Sequence, residues 1–262
     1  ASLYPAWYIT SMPPVLSLKG SFGNTRRGRS FRMALLMFQF TVALSLIISS
    51  LFVYLQYRYM MNADLGFKRD HLMTVNAPWK ISHDFESRTA FESKLRRSPL
   101  IADVAWASGI IVAPERMGWG RDLYQNGERK NIHLAVFPVS WNFLQVMGIE
   151  VFEGRNFLPS DEKGDGAIIL NEYAKNKYNL NLEEVIEWNG TPFPATGFCR
   201  DFHFKPLHEE SDAFAFYIYD SEVLTKYFPT PHLTLRTIEN ADIKAVFDAI
   251  RATTDKILPD YG

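Results

Sequence analysis

The sequence predicts an α+β protein in which one transmembrane helix precedes a domain of mixed strands and helices. The chain has 262 residues and a net charge of -1 that conceals a strong asymmetry. Residues 1–63 carry +6, because no Asp or Glu precedes Asp64, and the remainder carries -7. A run without a charged side chain, Met33–Tyr57, follows a basic cluster, and strand and helix patterns begin after it. These three observations together predict the fold class.

The residues before the apolar run indicate that the chain is a piece of a longer polypeptide. Residues 1–20 lack an initiator Met and mix aromatic side chains with three prolines, which indicates a piece of a longer polypeptide. Lys19–Arg29 is rich in Gly, Ser and Arg and has no apolar period, and this composition predicts a cytoplasmic loop.

The apolar run is long enough to cross a bilayer. As a helix, Met33–Tyr57 would measure about 37 Å at 1.5 Å per residue, which exceeds a hydrocarbon core of about 30 Å. A buried helix of a soluble protein is the alternative, and the uncharged length and clean flanks disfavour it. A signal peptide is disfavoured because the run is too long and no small-residue cleavage site follows. We therefore predict a transmembrane helix over residues 33–58.

Charge on the two flanks predicts the orientation of this helix. The N-terminal flank carries four arginines, at positions 26, 27, 29 and 32, and the other flank offers Tyr54, Tyr57, Arg58 and Tyr59 as interfacial residues. The positive-inside rule places the N-terminal side in the cytoplasm and residues from about 59 onward outside it. A basic cluster can also bind nucleic acid, but one this short beside an apolar helix is typical of a topology signal, so no nucleic-acid partner is expected.

Apolar periodicity predicts the elements of the following domain. A β-α-β unit comprises a strand at His71–Val75, a helix at Phe85–Arg97 and a strand at Ile101–Ser108. The turn-rich middle section is expected to hold strands at His133–Val139, Ala167–Leu170 and Thr196–Cys199 and helices at Ser140–Val146 and Asn171–Tyr178. A β-β-α unit closes the chain with strands at Ala213–Tyr219 and His232–Arg236 and a helix at Ala241–Ile257. We predict that the first and last units form one split α+β lobe around an inserted lobe.

Motifs for catalysis are missing from the sequence. The chain has no G-x-x-x-x-G-K-[ST] phosphate loop, no G-x-S-x-G and no H-E-x-x-H. We therefore expect that this chain does not hydrolyse ATP, is not an enzyme and holds no catalytic or cofactor-binding residue. The one cysteine, Cys199, lies in a predicted strand; it cannot form an internal disulfide, and a catalytic thiol there is disfavoured.

Two polar segments contain side chains that could bind a metal ion. Residues 200–210 offer two imidazoles and three carboxylates, from His203, His208, Asp201, Glu209 and Glu210. Such side chains ligate zinc, yet the interleaved aromatic residues favour a strand that turns at Pro206. Residues 161–165 are acidic but lack the twelve-residue calcium pattern and predict a turn. A third group, Met60, Met61, Trp106, Trp119 and Trp141, could line an apolar groove, although such residues usually form core. No metal site is predicted.

Several phrases occur together in an order that indicates a family. They are Lys19–Phe22, Phe38–Phe40, Met61–Phe67, Met147–Ile149 with Glu153–Phe157, Ile169–Glu172 and Asp201–His208. The combination resembles the permease subunits of the MacB/FtsX/LolC-type ABC transporters, most closely the eight-helix versions common in Bacteroidetes.

This resemblance implies an organisation and a function. Residues 1–32 would be the end of a preceding membrane helix and a cytoplasmic connector. Residues 59–262 would be a periplasmic core domain, with a Porter-like lobe at 68–108 and 212–262 and a Sabre-like inserted lobe at 109–211. The implied function is that of a permease in the bacterial inner membrane, which couples ATP hydrolysis by a separate ATPase subunit to export or extraction of a substrate by mechanotransmission. Implied partners are that ATPase, a periplasmic adaptor or outer-membrane component, membrane lipids and a second permease half.

A different class of protein stays open at the level of sequence. A membrane-anchored sensor would also place a ligand-binding domain after a transmembrane helix, and it would require a cytoplasmic signalling module elsewhere in the polypeptide. A periplasmic enzyme on a membrane anchor is disfavoured because the sequence offers no constellation of nucleophile, base or metal ligands.

Overall fold

The computed structural model describes residues 26–62, 66–68, 70–110, 117–125, 128–163, 166–182, 185–188, 191–202, 212–218 and 232–259. The chain divides into two compact units, residues 1–63 and 64–262. Within the described residues the helices are α1 Arg26–Asn62, α2 Trp79–Ser82, α3 Phe85–Arg96, α4 Phe143–Met147, α5 Glu172–Tyr178 and α6 Ile243–Ile257. The strands are β1 Leu72–Asn76, β2 Ile101–Ala107, β3 Met117–Gln125, β4 Glu128–Pro138, β5 Val151–Gly154, β6 Ala167–Asn171, β7 Val185–Trp188, β8 Thr191–Cys199, β9 Phe214–Ile218 and β10 His232–Thr237.

In its described residues, 26–62, the first unit is one long helix. Helix α1 has 37 residues, or about 55 Å at 1.5 Å per residue, and its segment Gly28–Asn62 is long and apolar enough to span a membrane. Large apolar side chains point outward along it, with Phe40 74% exposed. The predicted helix is present and longer than expected. The loop predicted over Lys19–Arg29 is wrong from Arg26 onward, because arginine has a high helix propensity and the helix begins at Arg26, before the apolar segment. The predictions for residues 1–25 lie outside the described residues.

The second unit begins with a small antiparallel sheet of strand order β1-β10-β2. Met73 pairs with Leu235 and Leu233 pairs with Trp106, so apolar side chains from the three strands lie together. Helices α3 and α6 cover them and contribute Phe91, Leu95 and Val246 to one core. In this sheet β10, from the end of the chain, lies between the two strands of the predicted β-α-β unit.

The larger sheet has the strand order β5-β8-β6-β9-β4-β3-β7, and β7 also pairs with β8. Six of these strands, β8-β6-β9-β4-β3-β7, therefore close into a ring. Apolar side chains from β4, β9 and α4 pack together in one cluster, including Phe137, Phe143, Phe214 and Phe216. The ring contains most of the predicted inserted lobe.

Strand β9 lies in the larger sheet, whereas the sequence predicts it in the first lobe. The run 213–219 was assigned to the first lobe, whereas β9 pairs in parallel with β4 and antiparallel with β6 in the larger sheet. All five residues of β9 are buried. A strand that is apolar on both faces needs cover on both, and the interior of the larger sheet supplies it. Strand β10 of the small sheet has a mixed burial pattern instead, with three of its six residues buried.

A shared core joins the two sheets. We name the small sheet with α3 and α6 the small lobe, and the larger sheet with α4 and α5 the larger lobe. Ala105 and Ala107 of β2 pack in the same cluster as Phe137, Phe143 and Met147 of the larger lobe. Trp106 and Ser140 exchange hydrogen bonds at this junction, with 3.0 Å from Ser140 N to the Trp106 carbonyl and 2.9 Å from Trp106 N to Ser140 Oγ. The buried Asn142 side chain donates to the Val104 carbonyl at 2.8 Å. Polar groups brought into this junction are thus paired, as burial requires.

Candidate functional site

The described chain resumes after α1 in a short stretch, residues 66–68 and 70–71, which we name the joining segment. Its first residue, Gly66, has φ +76°. A Cβ on Gly66 would lie 2.4 Å from the carbonyl oxygen of Asp201 and 2.8 Å from Cα of Phe202. Only glycine combines this backbone conformation with so close an approach. The joining segment therefore lies directly against the end of β8.

A backbone hydrogen bond fixes the next residue to α4. Lys68 N donates to the carbonyl of Met147 at 3.0 Å, at the C-terminal turn of the helix. Gly148 ends α4 in the left-handed conformation, with φ +68°. The side chain of Lys68 lies over it, 3.0 Å from where a Cβ of Gly148 would be.

The side chain of Arg236 on β10 binds three carbonyl groups. Nη2 donates to the Lys68 carbonyl at 2.9 Å and Nη1 to the Asp70 carbonyl at 2.8 Å. Nε donates to the Val146 carbonyl in α4 at 2.8 Å. Burial lowers the pKa of Arg236, and the nearby Asp70 carboxylate opposes that change. The guanidinium thus joins the joining segment, the small sheet and the larger lobe at one point.

A second bond strengthens the contact with β10. Thr237 N donates to the carbonyl of His71 at 2.8 Å, and His71 adopts φ 60°, a conformation that is uncommon outside glycine. The joining segment is therefore fixed at its start by β8, in its middle by α4 and at its end by β10.

A charged cleft of about 510 Å³ opens beside the joining segment. Its lining includes Lys68, Glu150, Glu172, Arg200 and Asp201. Arg200 Nη1 lies 3.2 Å from Glu172 Oε2, and both side chains are partly exposed. Exposed ion pairs of this kind stabilise a fold little, so these charged side chains are not explained by stability alone.

A buried amide network supports the cleft floor. Asn171 is 1% exposed; its Nδ2 donates to Asp201 Oδ1 at 2.8 Å and to the Asp212 carbonyl at 3.0 Å. Its Oδ1 accepts from Ala174 N at 3.1 Å and Phe214 N at 2.9 Å. One side chain thus ties together the start of α5, the end of β8 and the start of β9.

A second connection between the lobes lies in a groove of about 220 Å³ lined by α3 and a 3₁₀ turn at Pro159–Lys163. Arg88 of α3 is 5% exposed and its Cζ lies 5.7 Å from the centre of the Trp106 ring. Burial lowers the pKa of Arg88, while the carboxylates of Glu162 and Glu92 oppose the change. Glu162 Oε1 also accepts from Trp141 N at 3.0 Å. The groove therefore holds a buried cation between residues of both lobes.

The thiol and calcium hypotheses can be compared with the structure. Cys199 is fully buried in β8, and burial raises the pKa of its thiol, with Asp201 adding to the effect. A thiol in that state is a poor nucleophile. Asp161 lies in the 3₁₀ turn, which agrees with the predicted turn; it pairs with Arg155 at 2.7 Å and accepts from Leu158 N at 2.8 Å.

The remaining sequence candidates divide between described and masked residues. Trp106 is in the core and Trp141 is half-buried, whereas Met60 and Met61 belong to α1. The side chain of Trp119 and residues 203–211, with His203, His208, Glu209 and Glu210, lie outside what the structure describes. Among the described residues, no group of three or more His, Cys, Asp or Glu could hold a metal ion.

Sequence reasoning did not single out Arg236, Asn171 or Gly66 as functional. Gly66 and Asn171 did occur in the family phrases, but nothing there showed their contacts. A cation within the apolar strand pattern His232–Thr237 was the available signal for Arg236, because a charged residue beside buried ones needs partners.

Comparison with family models identifies one family. The family model described as MacB-like periplasmic core domain matches residues 39–253. Among solved structures, the chain is similar to the periplasmic region of MacB from Actinobacillus actinomycetemcomitans, with 14% identity, a TM-score of 0.48, and 73% of this chain and 86% of that chain covered. No curated protein matched.

Two further solved structures show a similar likeness. One is the extracellular domain of the noncanonical ABC-type transporter YknZ from Gram-positive bacteria, with 16% identity, a TM-score of 0.43 and coverage of 70% of this chain and 92% of that chain. The other is a domain of a permease protein from Porphyromonas gingivalis, with 10% identity, a TM-score of 0.49 and coverage of 71% and 84%. At these identities the family match, rather than the structural likenesses, carries the assignment.

Proposed function

Because the chain belongs to the MacB-like periplasmic core domain family, we propose that it is part of an ABC-transporter permease of the mechanotransmission type. In this proposal a separate ATPase subunit hydrolyses ATP, α1 carries the resulting movement across the membrane, and the extracytoplasmic domain acts on a periplasmic or membrane substrate. The family assignment confirms the resemblance that the sequence phrases indicated.

The observation that supports this function is the way the domain holds the joining segment. That segment follows α1 in the chain; Gly66 packs closely against Asp201 and Phe202, and Lys68 is hydrogen-bonded to Met147 and to Arg236. A domain that is only anchored by the helix does not require contacts from both lobes to the joining segment. A domain that is moved through the joining segment requires such contacts, because they make both lobes follow it.

The helix itself suits the role of a stiff lever. It is continuous over 37 residues and contains no proline, with Gly28 as its one glycine, so nothing in its sequence favours a kink. Its basic end would lie in the cytoplasm, and residues from about 59 onward in the periplasm of a bacterial inner membrane.

The proposal assigns ATP chemistry to a partner. The chain would be a non-enzymatic subunit without cofactor or metal, working with an ABC ATPase, a second permease half and surrounding lipids. A periplasmic adaptor or outer-membrane component would complete an export path. The substrate class would be set by that adaptor and by the surfaces of the larger lobe.

Purification of the full-length protein from its native membrane tests this function. We expect a separate P-loop ATPase to copurify and to hydrolyse ATP, with no nucleotide binding by the permease polypeptide alone. A polypeptide that instead carries a cytoplasmic signalling module, with no ATPase in the complex, would contradict the proposal and favour a membrane-anchored ligand sensor.

A further inference from the structure

We infer that Arg236 is the positioning residue that makes both lobes follow the joining segment. This role rests on the proposed function, and it assigns the transfer of movement within the domain to one side chain. Arg236 is the residue at which the joining segment, β10 and α4 meet through hydrogen bonds.

The position of Arg236 in the small sheet favours this role. Strand β10 is the middle strand of the order β1-β10-β2, and Arg236 pairs with Leu72 on one side and Asp103 on the other. A displacement of β10 therefore displaces both neighbouring strands.

The chemistry of the contact requires arginine. Three nitrogens of one planar guanidinium reach three different carbonyl oxygens, at 2.8, 2.8 and 2.9 Å. A lysine ammonium is a compact charge without this fork and cannot span the same three acceptors. Because hydrogen bonds from a charged donor are about twice as strong as neutral ones, this contact is the strongest that the joining segment makes to the small sheet.

Two other hydrogen bonds of the described part of the joining segment each reach a single element. Lys68 N binds α4 through Met147, and the His71 carbonyl binds β10 through Thr237. Without the guanidinium, the segment would still lie in place, but α4 and β10 would lose the side chain that links them to it and to each other. The expected defect is therefore a loss of transfer rather than a loss of fold.

Hydrogen exchange measured by mass spectrometry tests this role in the full-length permease with its ATPase. The variants are Arg236→Lys and Arg236→Gln. The matched control is Arg96→Lys, because Arg96 also binds three partners, Glu92, Asp103 and the Val104 carbonyl, and all of them lie in the small lobe. Exchange is compared without nucleotide and with ATP plus vanadate.

In the wild type we expect vanadate-trapped nucleotide to change exchange in residues 66–71, in α4 and in β10. In Arg236→Lys, exchange of residues 66–71 without nucleotide should rise about tenfold or more, as expected for loss of hydrogen bonds from a charged donor. The nucleotide-linked change should persist in that segment and fall severalfold in α4 and β10. Arg96→Lys should lower the melting temperature and keep the wild-type nucleotide response.

The outcomes separate two kinds of failure. An Arg236→Lys response equal to the wild type overturns the role of Arg236 and leaves the proposed function standing. A wild type without any nucleotide-linked change overturns the proposed function and this role with it. If both Arg236 variants fail to assemble while Arg96→Lys assembles, Arg236 is a folding determinant and the positioning role is wrong.

Discussion

Gly66 in the joining segment and Gly148 beside it give a matched pair of substitutions. Gly66 and Gly148 have φ values of +76° and +68°, so alanine is unfavourable at both positions for the same backbone reason. They differ in what the added methyl group meets. At Gly66 it meets the Asp201 carbonyl at 2.4 Å, and at Gly148 it meets the side chain of Lys68 at 3.0 Å.

This difference sets the expected magnitudes. The left-handed conformation costs an alanine about 1–2 kcal/mol, and a lysine side chain can move aside, so Gly148→Ala should lower the free energy of unfolding by about that amount. Backbone cannot move aside so easily, and overpacking adds about 1–3 kcal/mol. Gly66→Ala should therefore cost about 2–5 kcal/mol.

Thermal unfolding of the purified full-length protein, followed by tryptophan fluorescence, measures this difference. For a domain of about 200 residues, 1 kcal/mol corresponds to a shift in melting temperature of about 2–4 °C. Gly66→Ala should melt well below Gly148→Ala. Equal shifts in the two variants would refute the close contact between the joining segment and the end of β8.

Three further predictions concern other parts of the domain. Asp84 caps α3 by accepting from Ser87 N at 2.8 Å, so Asp84→Ala should cost about 1 kcal/mol in urea unfolding. Hydrogen bonds from the side chain and backbone of Ser87 lower the pKa of Asp84. The stability that the cap contributes should therefore be present above the ordinary carboxyl pKa and disappear as pH falls through the lowered value. Asp84→Asn should keep the cap and lose that pH dependence, and an unchanged pH dependence would contradict the assignment. Asn171→Asp would put a second carboxylate beside Asp201 Oδ1 and raise the pKa of the pair, so the variant should recover stability relative to the wild type as pH falls from about 7 to 4; a penalty that is independent of pH would argue against the contact. Cys199 is buried and its thiol pKa is raised, so maleimide should label it only after unfolding, and rapid labelling of the folded protein would show that β8 is exposed.

Most individual helices and strands were predicted from the sequence, but fewer of the pairings between strands were. Strands β1, β2 and β10 and helix α3 were found within one or two residues, because their apolar spacing is regular. Strand β3 was missed, since Gly118 and Gly120 read as turns; it forms because it pairs with β4 from Met117 opposite Val136 to Gln125 opposite Glu128. Tertiary pairing outweighs local preference in such strands.

Sheet membership and the joining segment were beyond sequence reasoning for a related reason. The apolar run of β9 predicts a buried strand, but it does not say which of two sheets buries it. Likewise, the bonds of Arg236 join residues 166 and 168 positions away in the chain. No local pattern specifies such partners, whereas the family phrases around Gly66 and Asp201 did indicate the region where they lie.

Insertion of residues into the end of α1 tests the transfer of movement from helix to domain most directly. Four glycines between Met60 and Met61 would remove the stiffness of the helix. Four alanines at the same place would keep it helical and approximately preserve its phase, because one turn has about 3.6 residues. The measurement is the nucleotide-linked change in hydrogen exchange of residues 66–71 in the complex with the ATPase.

We expect the alanine insertion to retain this change and the glycine insertion to abolish it while the ATPase still hydrolyses ATP. If the glycine variant retains the full nucleotide-linked change, movement does not reach the domain through α1 and the account is contradicted.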